Sequence, residues 1–261
     1  MIVKTRAVVL RETKFRDQSK ICMLFTREFG KVSVILKGAR NPKSRLSGKF
    51  SPGSVLDIVL YKKPNRDVQL VSDGNIVYSP LAAEPDMEKF AAMYLIVDLI
   101  DQALDGEEKN LQLFWLLENS LDALYRMNRY TERLLVWFLL RMVSLLGFEP
   151  SIKRCVYSDE EIEPAIETMK LRELLFVMNP GGIAIPATAT GRTPHEQRIS
   201  ADAFLTLLAI AETPLSELGN IPALEAETTL LAALLQDYCS IHLEQAPRAS
   251  NLAVVAQMLL K

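Results

Sequence analysis

Apolar and polar positions alternate from the first residues of the chain. Over residues 2–11, Ile2, Val8 and Leu10 fall on one parity and Val3, Ala7 and Val9 on the other, which predicts a strand buried for most of its length. Ser19–Thr26 and Lys31–Lys37 predict two more strands, joined by the turn Arg27-Glu-Phe-Gly30. Ser54–Tyr61 and Val68–Tyr78 add two further strands, separated by the polar segment 62–67. Five short strands with no long helical pattern predict a small closed barrel of the oligonucleotide-binding (OB-fold) type over residues 1–79.

The period changes at Ser79-Pro80. Pro85-Asp-Met-Glu is a helix start, with proline in the first turn and acids at the positive end of the dipole. Phe90, Tyr94, Val97 and Ile100 then recur at helical spacing. A second helix is predicted near 110–127, and a third from Thr131, apolar on almost every side except at Arg141. Gly147 and Pro150 end it. Ser200–Thr213, Pro222–Leu243 and Ser250–Leu260 resume helical periodicity. Between them, residues 148–199 form a polar, Pro/Gly-rich subregion with one short helical piece near 166–178. The fold class is therefore α+β, with a barrel at 1–79 followed by a helical domain at 80–261.

Charge sharpens this division. Residues 1–80 hold 16 cations and six acids, a net of +10, while the other 181 residues carry −12. Such an asymmetry points to a basic module that meets a polyanion. The densest stretch is Lys37–Lys49, with five cations and no acid, punctuated by Gly38, Pro42 and Gly48 as a loop is. It is read either as a clamp that closes around phosphates or as a solvated surface. Lys4 and Arg6 share a parity on the first strand, and Phe15, Phe29, Phe50 and Tyr61 lie near the cations in sequence. For these aromatics, core packing competes with base stacking.

Catalytic signatures are scarce. His195 and His242 are isolated, and no H-E-x-x-H, Walker or Gly-x-Ser-x-Gly motif occurs. Asp98, Asp101 and Asp105 share a helical face and read as a solvated acidic surface. Three widely spaced cysteines and no apolar run long enough for a bilayer predict a soluble protein of a reducing cytoplasm, with no membrane partner. Composition alone leaves an RNA-binding barrel open beside a DNA-binding one.

Several segments resemble the family of the recombination mediator RecO. They are Lys4-Thr-Arg-Ala-Val-Val-Leu10, Ser19-Lys-Ile21, Leu24-Phe-Thr-Arg-Glu-Phe-Gly-Lys31, Lys37-Gly-Ala-Arg40, Ser44-Arg-Leu46 and Leu60-Tyr61-Lys62. Further on, Arg141-x-x-x-Leu-Leu-Gly-Phe148 and Leu235-x-Asp-Tyr-x-x-x-His-Leu243 are similar to later helices of that family. The resemblance implies a non-catalytic protein that binds single- and double-stranded DNA and anneals complementary strands. It implies work with RecR and the single-stranded-DNA-binding protein to load RecA, and a location on the nucleoid.

Carried onto this chain, the expected DNA contacts are Lys4, Arg6, Lys37, Arg40, Lys43, Arg45 and Lys49, flanked by Lys62 and Lys63. The acidic, apolar-ended tail of the single-strand binder is expected to dock near Arg141, with Arg126, Arg129 and Arg133 as alternatives. The competing reading of Arg141 is that it satisfies a buried carboxylate or a helix end. Many members of the family carry two Cys-x-x-Cys pairs in the subregion after the long helix. Here Cys155 matches the first ligand, Ser158 replaces the second, and the other pair, expected around Gly181-Gly182 and after, is missing. The subregion is expected to be a degenerate, metal-free version of that zinc finger.

Overall fold

A computed structural model describes residues 1–80, 86–104, 106–127, 129–188 and 196–243. They divide into two compact units, one reaching Arg126 and the other starting at Met127.

The first unit is built on a closed barrel of β1 (Ile2–Phe15), β2 (Ser19–Thr26), β3 (Gly30–Leu36), β4 (Val55–Tyr61) and β5 (Val68–Tyr78), in the order β1-β2-β3-β5-β4. All neighbours are antiparallel except β3 and β5. This is the OB-fold arrangement. Closure depends on β1, which pairs with β4 over Ile2–Val8 and with β2 over Ala7–Phe15. The irregularity between Val9 and Arg11 lets one strand serve both partners, as a bulge bends a strand and raises its twist. β1 thus runs past the apolar alternation that predicted it. Glu12, Thr13 and Lys14 bury nothing, and pairing with Cys22, Ile21 and Lys20 holds them extended.

The barrel interior is aliphatic, with Val9, Leu24, Val34, Leu36, Ile58 and Leu60 among its members. The loop after β3 adds Ala39, Leu46 and Phe50 to the same core. Phe50 is 2% exposed, and a Cβ added at Gly74 would lie 2.9 Å from its ring. Glycine at position 74 on β5 is what lets the ring seat.

Two helices complete this unit. In α1 (Met87–Ala103) the Lys89 N–H donates to the capping Asp86 carboxylate at 3.1 Å; Pro85, where the start was expected, lies outside the described residues. In α2 (Leu111–Arg126) the Leu113 N–H donates to Asn110 Oδ1 at 3.0 Å. The Phe114 ring meets Phe25 of the barrel edge-on at 5.4 Å. The Tyr125 hydroxyl donates to the Gly53 carbonyl at 2.6 Å, and burial pushes this phenol well above its ordinary titration range. Gly53 takes φ +80°, and Met93 of α1 fills the space a side chain there would need.

In the second unit, α3 (Thr131–Leu145), α5 (Ala201–Glu212) and α6 (Glu225–His242) pack on one another. Gly147 at φ +87° closes α3, and Ser200 caps α5 by accepting the Ala203 N–H at 2.9 Å. The subregion between α3 and α5 corrects one expectation. Its helix is α4 (Ile162–Met169), and Glu173–Val177, expected to be helical, is β6, the central strand of a sheet ordered β7-β6-β8 with β7 (Gly182–Ala184) and β8 (Glu196–Ser200). Leu174, Leu175, Phe176 and Val177 are all buried, and a short run apolar on both faces has no period to betray a strand. The helix expected at 250–260 lies outside the described residues.

Candidate nucleic-acid interface

The basic loop is a plug. Its apolar anchors Ala39, Leu46 and Phe50 are buried in the barrel core, and successive turns link Asn41 N–H to Gly38 O at 2.9 Å, Ser44 N–H to Asn41 O at 2.9 Å and Ser47 N–H to Ser44 O at 3.0 Å. Lys37 before the first anchor and Arg40, Lys43 and Arg45 between the first two are exposed. The loop is also tied to the β1–β2 turn: the Arg40 N–H donates to Gln18 O and Arg40 Nη1 to Arg16 O, each at 3.0 Å. The buried anchors, the turns and these two bonds set the charges of the loop on the barrel surface.

The barrel cations fall into two groups. Several face acids of α1, α2 and the segment joining them. Lys31 Nζ pairs with Asp101 at 2.7 Å and Arg11 Nε with the same carboxylate at 3.4 Å. Arg6 lies between Asp57 and Glu118, 2.6 Å from each, and these acids raise its pKa further. Lys62 pairs with Glu107 and lies over the Phe29 ring. Asp101, expected on a solvated acidic face, is instead a half-buried acceptor for two barrel cations; Asp105 lies outside the described residues.

Of the expected DNA contacts, Arg6 and Lys62 thus belong to the group neutralised within the unit. Lys49 donates to the Gly74 carbonyl at 2.8 Å and is partly buried. Among the described residues no acid pairs with Lys4, Lys37, Arg40, Lys43, Arg45 or Lys63, all exposed or partly exposed. Lys14 and Arg16 at the hairpin end, which the sequence did not single out, are also exposed and without an acid partner among the described residues.

No aromatic stacking platform borders the loop among the described residues. Phe50 is core, Phe29 packs against the core, and Phe15 is half-buried with the Arg16 guanidinium 5.2 Å above its ring. Tyr61 is partly exposed at the end of β4. The outer face of β2, β3 and β5 carries aliphatics, with Ile21 level with Ile35 and Ile35 level with Leu70. Phosphate contact is what this arrangement offers.

The sequence matches the family model described as Recombination protein O N terminal over residues 1–80, and Recombination protein O C terminal over residues 84–251. The chain belongs to the RecO family. It is 63% identical over 261 residues to the DNA repair protein RecO of Chlorobium limicola and 55% identical to that of Pelodictyon phaeoclathratiforme, each comparison covering 100% of both chains. A more distant relative, the DNA repair protein RecO of Chloroherpeton thalassium, is 29% identical over 99% of this chain and 100% of its own.

The arginines expected to receive a partner separate in this RecO chain. Arg133 is only 6% exposed: it donates to the carbonyls of Leu218, Gly219 and Ala223 at 3.3, 3.4 and 3.1 Å and lies 4.0 Å from the Tyr130 ring centre. It anchors the chain between α5 and α6. Arg141 is exposed, donates to the Ala211 carbonyl near the end of α5 at 2.9 Å and lies against Trp137, so its role includes satisfying a helix end. Arg126 pairs with Asp122 at 2.7 Å, and Arg129 is exposed.

The donors around Cys155 do not fit zinc. Its sulfur lies 3.4 Å from the Thr188 hydroxyl and receives the Ile185 N–H at 3.5 Å. Among the described residues no second thiolate or imidazole joins it, and no group of three or more His, Cys, Asp or Glu side chains converges on a metal position. Burial pushes the Cys155 thiol up, but hydrogen bonding with Ser158, Thr188 and the Ile185 N–H outweighs it and brings the pKa to about 7.

Proposed function

We propose that this protein is a recombination mediator that binds single- and double-stranded DNA through the plugged end of its barrel and anneals complementary strands. The observation that supports this is the rigid loop 37–49, whose outward cations have no acid partner among the described residues while other barrel cations are neutralised by α1 and α2. Lys37, Arg40, Lys43 and Arg45 form the centre of the contact, with Lys4 and Lys63 outside it. Arg6, Lys49 and Lys62 serve the barrel. Neutralising two strands on one surface lowers their repulsion and leaves base edges free to pair, which gives little sequence preference. Family membership favours DNA over RNA as the polymer.

The remaining steps follow the family. The protein works with RecR, receives the acidic tail of the single-stranded-DNA-binding protein near Arg141 and Arg129, and helps RecA load onto coated DNA. Its action is non-catalytic and needs no metal. The test is annealing of complementary strands coated with the cognate single-strand binder. The R40E/K43E/R45E variant should lose most of the acceleration while keeping its fold by circular dichroism; annealing at the wild-type rate would refute the reading.

A further inference from the structure

We propose that the cleft between α4, α5 and the bridged turn of residues 153–162 is a docking site for a basic segment of a partner protein. The segment inserts one apolar side chain and sets a lysine or arginine on the rim. The inference is independent of the reading of the loop as the DNA contact, since every residue involved belongs to the second unit.

The cleft encloses about 350 Å³ and follows from local structure. Arg154 and Glu161 pair as an antiparallel bridge. Beside them the Cys155 N–H donates to Glu160 O at 2.8 Å and the Ile162 N–H to Lys153 O at 3.0 Å. This turn runs straight into α4, where Ile162 is buried and Pro164 stays exposed in the first turn. On α5, Phe204, Leu208 and Glu212 follow at a spacing of four and form one row along the helix. Phe204 and Leu208 make the apolar floor, and Glu212 stands at its end. Lys153 reaches across to Glu212 at 2.6 Å and ties the turn to α5. A space of this size and lining takes one large apolar side chain.

Charge selects the occupant. The two cations of the cleft are both committed, Lys153 to Glu212, and Arg154 to Asp159 at 2.7 Å and Glu161 at 3.5 Å. Glu163 lines the same cleft and makes no ion pair among the described residues. Around it, residues 159–167 hold five acids and no cation. An acidic segment would find only carboxylates and cations already paired, whereas a basic one supplies the partner that Glu163 lacks. That separates the cleft from the surface near Arg141, which suits an acidic tail. The buried apolar anchor supplies affinity, and the rim charge supplies discrimination.

Fluorescence anisotropy on the full chain tests this with three short labelled peptides. One carries a phenylalanine flanked by arginines, the second has alanine for the phenylalanine, and the third has glutamates for the arginines. The wild type should bind the first about tenfold more tightly than the second, near the worth of one buried aromatic side chain, and should not bind the third. E163K should weaken the first peptide at least about fivefold at about 50 mM salt, and that effect should shrink at about 500 mM while the preference for phenylalanine persists. L208W narrows the cleft and should abolish the preference. Equal binding of the phenylalanine and alanine peptides by the wild type would overturn the cleft as the site, because attraction between charges alone needs no anchor. Tighter binding of the glutamate peptide would overturn the basic partner. If L208W melts early, E163K, a change at an exposed position, is read in its place, and wild-type affinity in that variant overturns the proposal. Sedimentation velocity covers the remaining occupant: a dimer that E163K dissolves would assign the cleft to a second copy of this chain and overturn the separate partner.

Discussion

Arg133 and Arg141 sit two turns apart on one apolar helix, and their sequence contexts hardly distinguish them. What separates them is distant: the carbonyls of Leu218, Gly219 and Ala223 surround Arg133, whereas Arg141 reaches a single carbonyl from an exposed position. Helical spacing places a side chain on a face but does not say which chain end will lie against it. Arg133→Ala should therefore cost about 3 kcal/mol in urea unfolding, because it leaves the buried Leu218 carbonyl and two part-buried carbonyls without their donor, while Arg141→Ala should cost about 1 kcal/mol or less. Cys155 gives a second test at this scale. Its folded pKa of about 7 lies below the ordinary 9.0, so the thiolate is the form that folding favours. The resulting stabilisation is full above pH 9 and is lost as pH falls through about 7. Relative to Cys155→Ala, the wild type should gain stability from about pH 6.5 to about 8.5 in denaturant melts; a constant difference would show that the thiol does not titrate in this range.

Among the elements, the barrel strands were readable because their interior side chains alternate with exterior ones, and the register follows from that alternation. The basic loop was visible as composition but not as shape. Ala39, Leu46 and Phe50 are scattered among glycines and cations, and only the closed barrel gives them a common core to enter. Their burial turns a flexible-looking stretch into a fixed one. Phe50→Ala should cost about 3–5 kcal/mol, since the ring is removed from a filled interior. The same change should speed amide exchange at Asn41, Ser44 and Ser47, whose N–H groups close the successive turns. Exchange at the wild-type rate would mean that the turns hold without the anchor. β6 shows the converse limit, for Leu174–Val177 is covered on both sides and its apolar run carries no period at all.

Over the whole molecule, the charge split between the first 80 residues and the remainder was the strongest signal in the sequence, and it proved finer than a basic half beside an acidic one. Acids of α1, α2 and the segment joining them are complementary to one set of barrel cations, which leaves the loop and hairpin set without acid partners among the described residues. Counting charges could not reveal this partition, because it depends on which strand faces which helix. Asp101→Asn should lower stability by about 1–3 kcal/mol by removing the negative charge that Lys31 and Arg11 face. The donor set around Cys155 predicts that purified protein holds well under one equivalent of zinc, and that chelators leave its melting temperature unchanged. The central claim is that phosphates meet the plugged end of the barrel, and the salt dependence of DNA affinity tests it most directly. With about six to ten phosphates engaged, affinity should fall by about 10³–10⁵ between about 50 and 200 mM salt, and the slope should flatten in R40E/K43E/R45E. A wild-type slope in that variant, or a flat response in the unaltered protein, would contradict the account.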